Sequence, residues 1–70
     1  MDTQNLIHMA NRIADFFAAM PAHEDAVDGV ATHLRKFWEP RMRLALKQAV
    51  AAGEAEGLHP LVREAVGRGI

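Results

Sequence analysis

The sequence predicts one small all-α domain over residues 1–70, a bundle of three helices at about 3–20, 22–38 and 41–52 with a short C-terminal helical turn at about 60–66. Three observations carry this reading. Apolar residues recur at three- and four-residue steps, and no stretch alternates as a strand does. Three prolines and five glycines punctuate the chain in the order helices favour, proline at a first position and glycine just past an end. The connections left between these marks are a few residues long, which fits antiparallel neighbours.

The first helix places Leu6, Met9, Ala10, Ile13, Phe16, Phe17 and Met20 on an apolar face, with Asn5, His8, Asn11, Arg12 and Asp15 opposite. Pro21 ends it and can open the second, where Glu24 and Asp25 complement the positive end of the helix dipole. The second stripe is Val27, Val30, Ala31, Leu34, Phe37 and Trp38. Gly29 interrupts that helix at a cost of up to ~1 kcal/mol relative to alanine, which points either to a close crossing beside it or to simple tolerance. Pro40 pushes Glu39 out of the α region, makes residues 38–40 a sharp corner and leads the third helix. This helix buries Met42, Ala45, Leu46, Ala49 and Val50, shows Arg41, Arg43, Lys47 and Gln48, leaves Leu44 off its stripe and stops at Gly53. Residues 54–57 read as a polar linker. Pro60 then opens a turn through Leu61, Val62, Ala65 and Val66 that is short enough to dock rather than stand alone.

Length and composition exclude several classes. Half of the 70 residues are hydrophobic, but thirteen are alanine, leaving twenty-two larger apolar side chains for a core. Chains of this size rarely hold more than a few kcal/mol of net stability, so a free-standing enzyme is not expected and outside support is. Cysteine is absent, removing disulfides and the thiolates of zinc and iron–sulfur sites. The net charge of -1 lacks the basic excess of a nucleic-acid module. The first five residues have no basic character and no apolar run approaches the ~18 residues of a membrane span, so the expected compartment is the cytoplasm.

No catalytic constellation emerges from the side chains. His8, His23, His33 and His59 fall on different predicted elements without the spacing of a metal pair. His8 reads as solvated, His23 as part of a first turn, His59 as the cap beside Pro60, and His33 as a packed boundary residue. Serine and tyrosine are absent, and Thr3 and Thr32 have no local base signature. The pairs Glu24/Asp25 and Glu54/Glu56 fit a first helical turn and a solvated linker, and the isolated glycines form no phosphate loop.

One stretch stands apart. Residues 35–47 hold five of the eight basic side chains against one acid, a local charge of +4, together with the only tryptophan. Read structurally, Phe37 and Trp38 are core and the arginines a solvated face. Read functionally, the stretch is an interaction corner, since tryptophan and arginine are enriched at binding hot spots and a proline-fixed bend has little entropy to lose. The candidate partner-binding residues are His33, Arg35, Phe37, Trp38, Glu39, Pro40, Arg41, Arg43 and Leu44. An alternative is a helix-turn-helix offering Arg41, Arg43, Lys47 and Gln48 to a DNA groove, opposed by the charge balance and the tight Glu39–Pro40 junction. A self-associating helical module is a third class.

Three segments resemble a known family: Met9-Ala10-Asn11-Arg12-Ile13-Ala14-Asp15-Phe16-Phe17, the corner from His33 through Phe37-Trp38-Glu39-Pro40-Arg41-Met42-Arg43, and Gly57-Leu58-His59-Pro60-Leu61-Val62-Arg63-Glu64-Ala65-Val66. Together they resemble the delta subunit of soluble, molybdenum-containing, NAD-dependent formate dehydrogenases. The resemblance implies an accessory chain that binds the catalytic alpha subunit, in a holoenzyme with beta and gamma subunits, and supports cofactor retention or insertion and complex integrity. It further implies that bis-molybdopterin guanine dinucleotide, iron–sulfur clusters, FMN and NAD are held by other subunits and none by this chain. No nucleic acid or membrane is expected as a partner.

Overall fold

The computed structural model describes residues 2–70; Met1, which the sequence reading includes in the domain, lies outside them. Four helices follow in order, α1 (Thr3–Phe17), α2 (His23–Phe37), α3 (Pro40–Ala51) and α4 (Pro60–Gly67), with no strand among the described residues. The all-α reading holds, and each helix boundary has a local cause. The Asp2 carboxylate accepts the Gln4 N–H at 3.0 Å and starts α1. Glu24 and Asp25 lie in the first turn of α2, Arg35 and Lys36 in its last, both matched to the dipole. At the end of α3 the Glu54 N–H donates to the Ala49 carbonyl at 2.8 Å and the Gly53 N–H to Val50 at 3.2 Å. That pair of bonds is a Schellman closure, and it needs the positive φ of +72° that Gly53 adopts.

Expectations at two places, α1 and residues 54–57, are corrected. The first helix ends at Phe17 rather than near Met20, because Pro21 disfavours helical backbone just before it and residues 18–20 turn instead, with the Met20 N–H on the Phe17 carbonyl at 3.0 Å. Its buried face is also rotated from the one expected. Leu6, Ile7, Ala10 and Ala14 are buried, whereas Met9, Phe16 and Met20 are exposed. The second correction concerns residues 54–57, which are not simply a solvated linker: Ala55 is buried, as is Leu58 just beyond it, and Arg63 Nη2 donates to the Ala55 carbonyl at 2.7 Å.

The core sits where α2 meets α4 and α1, around the fully buried Val27, Val30, Leu34, Leu46 and Val62. As expected, α4 docks. It lies along α2, with Leu61, Val62 and Ala65 buried, and Ile70 tucks in after it. Polar groups fasten this end: His23 Nε2 lies 2.9 Å from Glu64, and Arg68 reaches Glu24 at 2.7 Å and Asp28 at 3.3 Å. The hydrogen bond to Glu24 raises the Arg68 pKa above its ordinary value, against desolvation and with added attraction from Glu24, Asp28 and Glu64. Arg68 therefore stays charged wherever the protein is folded.

Candidate docking surface

The corner predicted as one surface divides in the structure. Trp38 is the first residue beyond α2, at φ -88° and ψ 136°, and its indole turns back into the core with 6% of its surface exposed. Its neighbour Phe37, the last helical residue, points out and is 71% exposed, contrary to its place on the buried stripe. Two of the corner arginines hold the chain's own backbone. Arg35 Nη1 donates to the Gly69 carbonyl and Arg43 Nη1 to that of Ile70, each at 2.9 Å, while the buried Arg43 Nε has no hydrogen-bond partner among the described residues. Glu39, Pro40 and Arg41 remain exposed, and Leu44, off the stripe as read, is 51% exposed. His33 is half-buried and belongs to a different neighbourhood.

That neighbourhood is a row of four rings crossing from the end of α1 to the end of α2. Phe16 and Phe17 meet edge to face with centroids 5.1 Å apart, Phe17 faces His33 at 6.4 Å, and His33 lies 4.8 Å from Phe37. Phe16 is 75% exposed. Two recesses flank the row: about 350 Å³ bounded by Arg12, Ile13, Phe16, Phe17 and His33, and about 370 Å³ reaching along Asp28, Gly29, Thr32, Lys36 and Phe37. Gly29 makes the row possible. A Cβ there would lie 2.6 Å from Phe17 Cε1 and closer still to Cδ1, so the ring rests directly on the α2 backbone. The close crossing at this glycine is therefore with an aromatic ring.

Arg12, Phe16 and Phe17, which lie in the first family-like segment, and Lys36, in the basic stretch, are not among the candidate partner-binding residues of the sequence. The available signal was the Phe16-Phe17 pair: adjacent helical positions are about 100° apart, so a helix this short with a narrow buried face turns one of them outward. Burying a phenylalanine is worth roughly 1.5–3 kcal/mol, so two left in water in one row make this the candidate docking surface.

The histidines are held apart. His59 caps α4 through Nδ1, which accepts the Leu61 N–H at 3.0 Å, and its Nε2 lies 3.9 Å from Asp15; His8 is exposed. Among the described residues no three histidines and carboxylates gather as metal ligands. No helix among them is long and apolar enough to cross a membrane.

A small helical domain whose distinctive feature is an uncovered aromatic face has the build of a subunit in a larger assembly. The family model described as NADH-dependent formate dehydrogenase delta subunit FdsD matches residues 5–66, and the chain belongs to this family. The match contains all three segments that carried the resemblance. No curated protein and no solved structure matches the chain.

Proposed function

We propose that this chain is a non-catalytic accessory subunit that docks on the catalytic alpha subunit of the NAD-dependent formate dehydrogenase, in the cytoplasm, and supports complex integrity and molybdenum-cofactor retention or insertion. The uncovered aromatic face on a member of a delta-subunit family carries the reading. The chain has no cysteine, the usual ligand of an iron–sulfur cluster, which supports placing the clusters on other subunits. On this reading bis-molybdopterin guanine dinucleotide, the iron–sulfur clusters, FMN and NAD are held by the alpha, beta and gamma subunits. The nucleic-acid alternative loses its geometry as well as its charge. Only Trp38 and Glu39 join α2 to α3, where a helix-turn-helix uses a turn of three to four residues.

The test is to purify the formate dehydrogenase from strains with and without this chain and to measure its subunit content, molybdenum and pterin. The expected result is co-purification with the alpha subunit and a lower molybdenum and pterin content per alpha subunit when the chain is missing. Equal contents, with no co-purification, would overturn the proposal.

A further inference from the structure

The charge around the aromatic row says what covers it. Arg12 stands at one end and Lys36 at the other, and neither pairs with a carboxylate among the described residues. The one acid bounding the recesses, Asp28, faces Arg68 at 3.3 Å and shares it with Glu24 at 2.7 Å. Asp15 turns toward His59, and Asp25 bounds neither recess. The row is thus three phenylalanine rings and one imidazole, with a cation at each end and Asp28 beside the Lys36 end. A second copy would oppose like with like, because a two-fold contact sets the same patch against itself and brings uncompensated cations together. An apolar segment with carboxylates on its flanks meets both demands. Phe17, seated on Gly29, and His33, held between Phe17 and Phe37, keep the row ordered before anything binds, which lowers the entropy lost on docking.

We propose that the row Phe16, Phe17, His33 and Phe37, with Arg12 and Lys36 at its ends, is the face that docks on the larger formate dehydrogenase subunit, and that its occupant is a carboxylate-flanked apolar segment of that subunit. The inference rests on the accessory-subunit reading and adds to it the face and the partner's chemistry. It also moves the docking site away from the exposed part of the corner, Arg41 and Leu44.

The experiment uses the full chain co-expressed with the formate dehydrogenase subunits, in four forms: wild type, Phe16→Ala/Phe37→Ala, Arg12→Glu/Lys36→Glu, and Arg41→Glu/Leu44→Glu. Circular dichroism of each isolated chain checks the fold, and hydrogen exchange on the wild-type complex reads the covered face without any substitution. Loss of both aromatics should weaken binding by about 100-fold or more, roughly tenfold for each ring. Charge reversal should weaken it by about tenfold, wild-type binding should fall as salt is raised, and the α3 variant should bind like wild type. Amides in residues 12–17 and 33–37 should gain protection in the complex. Normal binding of the aromatic variant together with loss in the α3 variant overturns the inference and leaves the accessory role standing. Protection confined to α3 does the same. Stronger binding of the charge-reversed variant overturns the partner chemistry, and a wild-type dimer dispersed by Phe16→Ala/Phe37→Ala with unchanged co-purification makes a second copy the occupant. If wild type itself does not co-purify, the accessory reading fails and the inference with it.

Discussion

Asn11 ties together segments that are far apart in the chain. Its Nδ2 donates to the Gly57 carbonyl at 2.9 Å and its Oδ1 accepts the His59 N–H at 2.8 Å, so one amide holds the approach to α4 against α1. Removing it leaves a carbonyl and an N–H without partners. Asn11→Ala should lower stability by about 2 kcal/mol, read from urea unfolding, and Asn11→Asp, which keeps only the acceptor, should fall between it and wild type. Trp38 is the heavier anchor. Truncating a buried tryptophan costs about 3–5 kcal/mol, comparable to everything a domain of this size has, so isolated Trp38→Ala should show largely unfolded circular dichroism. Gly29 and Phe17 form a coupled pair. Gly29→Ala gains up to about 1 kcal/mol of helix propensity but must displace a ring at about 1–3 kcal/mol, so the melting temperature should fall by several degrees. In a Phe17→Ala background the clash is gone and the same substitution should raise it.

Helices were legible from periodicity and punctuation because those signals are local. Phase and ending were harder to read. On α1, Ile7, Asn11 and Ala14 lie on one face by helical spacing, yet Asn11 reads as solvated from its polarity alone; in the structure that amide faces the core side and bonds a loop more than forty residues away. At the end of α2, Leu34 is followed on the same face by both Phe37 and Trp38, and helical phase does not choose between them. The backbone chooses, because the extended conformation at Trp38 sends the second ring inward and leaves the first outside. The candidate site was legible only to that degree. Phe37 and His33 belong to the aromatic row, whereas Trp38, Arg35 and Arg43 serve the interior and the last residues of the chain. The importance of α4 was also understated by its length. Because it covers α2, deleting residues 60–70 exposes Val27, Val30 and Leu34, and the remaining chain should lose its cooperative thermal transition.

At the scale of the molecule, a radius of gyration of 10.9 Å matches the ~11 Å expected for a compact chain of this length. The thin core is packed within this one chain, and on the proposed reading a partner covers a face rather than supplying a missing piece of interior. Binding to the folded form alone must then raise apparent stability by mass action, by about 2.7 kcal/mol when the partner is at a hundred times its Kd. The melting temperature of wild type should rise on adding the alpha subunit, and that of Phe37→Ala should rise less at equal concentrations. Trp38 gives the means to tell docking from folding optically. It is the only tryptophan, the chain has no tyrosine, and its indole is buried while Phe37 beside it is exposed. In the isolated chain its emission is therefore a single-site signal that shifts when the domain opens, so fluorescence reports the integrity of the fold separately from what happens at the aromatic face.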